Sequence, residues 1–311
     1  MLTTDMTKFL AALLLLIPAF AQVKLSPGSI NIEVDGKPFT TFEYGVEAWK
    51  PFFAPVRSAS GKIVTRRFPM EMVQGESRDH LHHRGLWFTY DDINGVKYWE
   101  NDPSYANKPN KGRVVVKKSE WKDGPKSGML DAVMEWQDGS GKVQLVENSR
   151  TTVYSSPQLR ILDFDITLTA AIDVTFGDTK EGAFAIRLAE EFTEKRGAKI
   201  TNADGLETMK QIWGKRSTWV NYAAELQGEK LGVAIFDHPS NPGYPTRWHA
   251  RDYGLFALNP FGQQAFDPSQ KENLTKLAAG QKLHFLWRVV IHPDEVPVAD
   301  LYKAFLAARP K

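Results

Sequence analysis

The chain has 311 residues, with 39 basic and 37 acidic side chains and no cysteine. The near balance of charge, without a long basic run, gives no support to a nucleic-acid role. The absence of cysteine excludes thiol catalysis, disulfides and cysteine-ligated metals. The length allows a substantial core, and it fits one large all-β domain or two smaller domains.

Residues 1–21 have the order of a secretory signal peptide. Lys8 precedes an apolar run over residues 9–17, which Pro18 ends before a small-residue cleavage site at Ala21. The run is shorter than the roughly 20 residues that span a bilayer, which favours cleavage over a retained anchor. We therefore expect an exported protein, periplasmic or extracellular, in which residues 22–311 form a single domain without a membrane span.

Alternation of apolar and polar residues with a period of two dominates the rest of the chain and indicates β-strands. Turn dipeptides such as Asp35-Gly36 separate the alternating runs. The predicted strands cover residues 30–35, 113–117, 143–146, 162–168, 184–188, 219–222, 232–236 and 283–291. Apolar residues at helical spacing predict one helix over residues 297–308. The pattern predicts an all-β fold, a large antiparallel β-sandwich with a short C-terminal helix.

The strand over residues 283–291 differs from the others because both of its faces carry apolar side chains. Leu286 and Val290 stand on the face opposite Phe285, Trp287 and Val289. A strand that is apolar on both faces is expected to be buried between two layers.

The densest group of chemically active residues lies between residues 78 and 95. Three of the seven histidines, His80, His82 and His83, fall within four positions there. Histidine titrates near neutral pH, and ionisable clusters concentrate at functional sites more often than chance allows. We therefore name His82 and His83 as catalytic candidates. The neighbouring binding candidates are Arg84, Trp87, Asp91 and Asn94.

A second group follows the predicted strand over residues 232–236, where a strand end could hold functional residues at a rim. His238 and His249 are its catalytic candidates. Its binding candidates, together with an asparagine further along the chain, are Asp237, Asn241, Trp248, Arg251 and Asn259. The alternative is a proline-rich surface loop with incidental histidines, and the sequence leaves open whether the two groups meet.

The histidines also raise the question of a metal site. Five of them could supply ligands, but the chain contains no His-Glu-x-x-His motif and no cysteine. We therefore expect no cofactor. A metal ion has no support beyond the number of histidines.

Several motifs resemble a bacterial family known under the label PmoA-like, or methane oxygenase PmoA. The similar segments are His82-His83-Arg84-Gly85-Leu86-Trp87-Phe88, Trp213-Gly214-Lys215-Arg216-Ser217, Gly232-Val233-Ala234-Ile235-Phe236-Asp237-His238-Pro239 and Asn259-Pro260-Phe261-Gly262. Tyr90 departs from the pattern, since many relatives carry histidine there. The resemblance implies a galactose-mutarotase-like supersandwich, a fold shared by sugar epimerases, lyases and glycoside hydrolase domains.

Three functional hypotheses follow. The first is an exported carbohydrate-active enzyme of the mutarotase, epimerase, lyase or hydrolase type. In it His83 and His238 act as acid and base, Arg84 and Arg251 hold an anionic or polarised oxygen, and Trp87 and Trp248 stack on the sugar. The second is a non-catalytic module that binds a monosaccharide or oligosaccharide. The third is a metal-dependent oxygenase, as the family label suggests.

Overall fold

The computed structural model describes residues 21–124 and 126–309. The predicted signal peptide lies outside them, apart from Ala21, so cleavage and export stay predictions. Within the described residues, no helix is both long enough and apolar enough to cross a membrane.

Two antiparallel eight-stranded sheets face each other. Sheet one has the order β1-β2-β3-β4-β5-β11-β16-β15. Its strands are β1 (Ala21–Ser26), β2 (Ser29–Val34), β3 (Lys37–Glu43), β4 (Phe52–Phe53), β5 (Leu86–Tyr90), β11 (Gly182–Arg187), β15 (Arg247–Ala250) and β16 (Leu255–Asn259).

Sheet two has the order β12-β13-β14-β18-β9-β8-β7-β6. Its strands are β6 (Arg113–Asp123), β7 (Ser127–Gln137), β8 (Val143–Tyr154), β9 (Arg160–Ala170), β12 (Lys199–Asn202), β13 (Trp219–Leu226), β14 (Glu229–Asp237) and β18 (Lys282–Pro293). The pair β10 (Val174–Phe176) and β17 (Thr275–Leu277) forms a separate small sheet. The helices are α1 (Met209–Ile212) and α2 (Val298–Ala308), and 3₁₀ turns cover Pro103–Tyr105, Glu190–Phe192 and Glu194–Arg196.

The core lies between the two sheets and is rich in aromatic rings. Phe184 of sheet one stacks on Trp287 of sheet two with 5.0 Å between ring centroids, and Trp287 stacks on Phe285 at 4.8 Å. The strand β7 shows how the sequence builds this layer, because its residues alternate between buried and half-buried over its whole length. Period-two burial of this kind fixes the register, since a slip of one residue would turn every apolar side chain to solvent.

The prediction of an all-β sandwich with a short C-terminal helix is confirmed. The helix α2 packs on the outer face of sheet two, where Phe305 joins Phe236 and Val290 in one buried cluster. This contact explains why β18 is apolar on both faces. The single-domain boundary of residues 22–311 stays a prediction.

Candidate functional site

The outer face of sheet one, turned away from the core, carries a row of residues in register across five strands. Phe52 of β4 pairs with Trp87 of β5, Trp87 with Ala185 of β11, Ala185 with Ala257 of β16, and Ala257 with His249 of β15. Directly opposed residues in antiparallel strands point to the same face. The row therefore has small side chains at its centre and large ones on either side.

The segment His80–Gly85 folds over one end of this row. Gly85 has φ +55°, and a Cβ atom there would lie 2.1 Å from the carbonyl oxygen of Phe53, so glycine is required at this turn. The turn places the His83 ring on Trp87, with 5.4 Å between centroids. His80 stacks on His83 at 4.6 Å, and His82 meets His83 edge-on at 4.4 Å.

One carboxylate, that of Asp79, holds two arginines beneath the histidines. Its Oδ1 accepts hydrogen bonds from Arg66 Nη1 at 2.5 Å and Arg187 Nη2 at 2.9 Å. Both guanidinium groups are fully buried, while the Asp79 side chain is 38% exposed. Burial raises the pKa of Asp79, but the hydrogen bond from His80 and the charges of Arg187, His80 and Arg66 outweigh it, so the pKa lies well below its usual range.

Arg187 also fixes the tautomer of His83. Its Nη1 lies 3.2 Å from His83 Nδ1. A guanidinium can only donate, so Nδ1 must accept, and a neutral His83 then carries its proton on Nε2. Burial, followed by the nearby positive groups, lowers the pKa of His83 well below its usual value. At neutral pH His83 is therefore an uncharged imidazole with its proton on Nε2.

His249 stands at the other end of the row in a comparable state. Its Nε2 accepts a hydrogen bond from Arg251 Nε at 2.9 Å, so its proton is on Nδ1, which lies 3.9 Å from Glu181 Oε2. Burial and the charge of Arg251 lower the pKa of His249 to about 3. The site thus has two neutral imidazoles, one near each end of the row, each with its N–H direction set by an arginine.

Tyr253 links the two ends. It lies in the turn between β15 and β16, where Gly254 N donates to Arg251 O. Its ring stacks on His80 with 5.4 Å between centroids, and the guanidinium carbon of Arg187 lies 4.5 Å from the ring centre. The structure therefore brings the segment containing His82 and His83 together with the one containing His249 and Arg251.

Several buried polar atoms on this face have no hydrogen-bond partner among residues 21–124 and 126–309. They are Trp87 Nε1, Thr89 Oγ1, Asp91 Oδ1, Trp99 Nε1, His82 Nδ1, His249 Nδ1 and Arg187 Nε. An unsatisfied buried polar group costs about 1–3 kcal/mol, and such groups are rare in folded proteins. Their concentration on one face of one sheet is typical of a binding site.

Two carboxylates border the row at the end of β5. Asp91 N donates to Glu181 O, so the two residues are adjacent. Burial raises the pKa of Asp91, and Lys97 Nζ, 3.5 Å from Asp91 Oδ2, partly offsets this effect. A buried carboxylate such as Asp91 can accept a proton more readily than an exposed one.

Three of the candidate residues lie elsewhere and hold structural contacts. Asp237, at the end of β14, accepts hydrogen bonds from Asn241, Thr246 and Trp287. Asn241 also bonds to Leu286 through both its amide nitrogen and its oxygen. His238 Nδ1 lies 2.7 Å from Ser240 Oγ, and its Nε2 lies 2.6 Å from the carbonyl oxygen of Arg309. These contacts correct the expectation that His238, Asp237 and Asn241 share a site with His83.

Two tryptophans were expected to stack on a sugar, and in the structure the protein covers the ring faces of both. Trp248 faces the core, donates to Ser217 O and is fully buried. Trp87 lies on the outer face but is only 2% exposed beneath His83. Tyr253 and Trp213 are half-buried, so they are better placed to contact a ligand.

The remaining candidates are engaged by the protein itself. Arg84 binds Asp102 through Nε and Nη2. Asn94 bonds to the backbone of Asp173 and Thr175. Asn259 accepts from Phe261 N and Gly262 N and donates to Thr179 O. These contacts are structural ones that fix loops next to the site.

His238→Ala is expected to destabilise the fold without affecting ligand binding. His238 connects the end of β14 to the end of α2, and its ring meets Phe305 edge-on at 5.5 Å. Loss of the two hydrogen bonds and the ring contact should lower the free energy of unfolding by about 2 kcal/mol. Chemical denaturation measures this cost, and unchanged ligand affinity of the folded fraction separates His238 from His83.

Sequence reasoning missed several residues of the site, chiefly Asp79, Arg187, Tyr253, Glu181 and Thr89. One signal was present in the strand Gly182–Arg187, where Phe184 and Ile186 face the core while Ala183, Ala185 and Arg187 share the other face. An arginine in line with two alanines on a buried strand indicates a partner or ligand for that face. Pairing it with Asp79 required the structure.

No group of three His, Asp or Glu side chains in the described residues has a metal-binding arrangement. A cavity of about 30 Å³ lies between the two sheets rather than on the outer face, and Glu147, Ser149 and Phe164 are among the residues that line it. The chemistry of the histidine cluster and the interior cavity are therefore separate features.

The fold and the site define an all-β sandwich protein with a histidine–arginine cluster on the outer face of one sheet. Residues 29–305 match a family of unknown function, DUF6807, and the chain belongs to that family. The methane-oxygenase label suggested by the sequence resemblance finds no support in this match. Among curated proteins, none matches the sequence.

Solved structures give distant likenesses. The galactosidase domain of the α-galactosidase–sucrose kinase AgaSK has a TM-score of 0.45 at 11% identity, over 87% of this chain and 41% of that one. An α-galactosidase from Lactobacillus brevis has a TM-score of 0.42 at 9% identity, over 88% of this chain and 39% of that one. A galactose mutarotase-like protein from Clostridium acetobutylicum has a TM-score of 0.43 at 8% identity, over 88% of this chain and 98% of that one. The chain thus spans about two fifths of the length of the two galactosidases.

Proposed function

We propose that the outer face of sheet one is the active site of an exported carbohydrate-active enzyme that moves protons. The observation that carries the proposal is the pair of neutral, arginine-oriented imidazoles, His83 and His249, on a face where several buried polar atoms have no partner among the described residues. Sugars present many hydroxyl and ring oxygens, which are the acceptors such donors require.

In the proposed mechanism His83 and His249, near opposite ends of the row, donate hydrogen bonds to different oxygens of the sugar, and one of them stabilises the negative charge that develops on its oxygen. Neutral imidazoles held in place act in this way without first losing a proton. Asp91 and Glu181 accept the proton that leaves the sugar. In anomeric interconversion the carboxylate takes the proton of the anomeric hydroxyl, the bond between the anomeric carbon and the ring oxygen breaks, and the proton returns when the ring closes on the other face. In elimination the carboxylate takes a carbon-bound proton, the C–O bond at the next carbon breaks, and the protonated carboxyl gives its proton to the leaving oxygen.

A second candidate function is carbohydrate binding without turnover. The occupation of His83 Nδ1 by Arg187 favours it, because the nitrogen that could act as a base is already engaged. The two candidates differ in one outcome, since a binding protein leaves the sugar chemically unchanged.

Tyr253→Leu tests ligand binding at this face. Tyr253 is half-buried and stacks on His80 between the two ends of the row. We expect about tenfold weaker sugar binding, equivalent to one ring contact of about 1.4 kcal/mol. Calorimetric titration with a panel of neutral and acidic sugars measures the affinity, and a melting curve measures the stability.

His83→Gln tests whether the site is catalytic, with any sugar of the panel that binds to the wild type. Proton NMR of the sugar reports anomeric exchange or an elimination product, and the enzyme proposal expects at least a hundredfold loss of that rate with binding largely kept. Binding without any chemical change in the wild type would favour the non-catalytic candidate. Failure of the whole panel to bind would refute both.

A further inference from the structure

Arg251 differs from the other arginines around the histidine cluster in what it contacts. Arg66 and Arg187 share the carboxylate of Asp79, and Arg84 is paired with Asp102. Arg251 instead donates through Nε to the neutral ring of His249. In residues 21–124 and 126–309, no carboxylate forms an ion pair with it, and its two terminal nitrogens make no hydrogen bond.

The position of Arg251 is nevertheless fixed. Its backbone N–H donates to Leu255 O and to the hydroxyl of Tyr222, and that hydroxyl donates back to Arg251 O. Tyr222 belongs to β13 of sheet two and is fully buried. The guanidinium carbon lies 5.9 Å from the centre of the Trp213 ring. An ordered guanidinium with unpaired terminal nitrogens loses little entropy when it binds an anion.

The acidic side chain beside His249 does not pair with Arg251. Glu181 lies against His249 Nδ1 at 3.9 Å and against Lys180 at 3.2 Å, and not against Arg251. Among the described residues, the positive charge of Arg251 beside His249 has no carboxylate partner. A negatively charged ligand group would be attracted there.

We infer that the ligand of this site carries a carboxylate, as uronic acids and other oxidised sugars do, and that Arg251 binds it through its two terminal nitrogens. The planar fork of a guanidinium matches the two oxygens of a carboxylate. This inference rests on the proposed function, because it assigns the substrate class of the same site. It makes Arg251 a specificity-determining residue rather than part of the proton transfer.

The test is calorimetric titration with matched sugars that differ only in the acidic group. Glucuronate is paired with glucose, galacturonate with galactose and mannuronate with mannose. For at least one pair we expect the wild type to bind the acid about tenfold or more tightly than the neutral sugar. Raising the salt concentration should reduce that preference.

Arg251→Gln should bring the affinity ratio of that pair to about one by weakening the acid alone, and Arg251→Lys should retain part of it. Arg196→Gln is the control, because it removes the same charge from an exposed position in the 3₁₀ turn Glu194–Arg196 and should leave the ratio unchanged. Equal or tighter binding of every neutral sugar would overturn the inference while the proposed function survives. If no sugar of either kind binds, the inference and the proposed function fail together.

Discussion

Asp79→Ala is expected to lower the free energy of unfolding by about 3–5 kcal/mol, the usual cost of removing one partner from a buried ion pair. The carboxylate of Asp79 is shared by Arg66 and Arg187, whose guanidinium groups are fully buried. Without it both positive charges would lie close together under the histidines. Urea denaturation measured by tryptophan fluorescence gives the value directly.

The matched control for this prediction is Asp131→Ala. Asp131 accepts two hydrogen bonds from Arg150, but that guanidinium is half exposed on sheet two. Exposed pairs contribute at most about 1 kcal/mol, so the control should be close to wild type in stability. Equal costs for the two variants would show that Asp79 does not support a buried charge cluster.

Most of the fold was predictable from the sequence because the sheets alternate cleanly. In β2, the apolar residues Ile30, Ile32 and Val34 are all buried, while the residues between them are half-buried. The long strand β7 was missed although its burial alternates perfectly, because Gly128 and the small or flexible residues between Leu130 and Trp136 do not resemble a β-branched run. The β-propensity of single residues therefore predicts a strand less well than the alternation of buried and half-buried positions does.

The histidine cluster was predictable only in part. The density of His82 and His83 pointed to their segment, and the strand end pointed to His249 and Arg251. Which histidine of the second group faces the first depends on the register of β15 with β16, where His249 pairs with Ala257. Sequence spacing does not give this register, so the sequence alone predicts His238 and His249 equally as catalytic candidates.

The tautomers of the histidines could not have been predicted at all. They depend on Arg187 approaching His83 and on Arg251 approaching His249. Arg187 is more than a hundred positions from His83 in the chain, and only strand pairing in sheet one brings them together. The tautomers matter for the chemistry, because they make both histidines oriented hydrogen-bond donors rather than general acid–base catalysts.

Glu147→Gln is expected to become more stabilising, relative to wild type, as the pH rises from about 4.5 to 7.5. Glu147 is 3% exposed between the sheets and accepts one hydrogen bond, from Trp136 Nε1 at 2.8 Å. Burial raises its pKa from 4.5 to about 7. The folded state therefore holds this proton more tightly than the unfolded chain, and the contribution of Glu147 to stability falls as the pH rises through this window. Over about 2.5 pH units the change is about 3 kcal/mol.

Glutamine keeps the shape and the acceptor for Trp136 but does not titrate, so the difference in unfolding free energy between variant and wild type isolates this one group. Denaturation curves at pH 5, 6, 7 and 8 should show the difference growing and then levelling off above about pH 7. Glu135→Gln is the control, since Glu135 is on the neighbouring strand β7 with its side chain on the outer face and next to Lys117. A Glu147→Gln difference that is as flat with pH as that of the control would mean that Glu147 is ionised in the folded protein, and the interior between the sheets would then have to solvate a carboxylate.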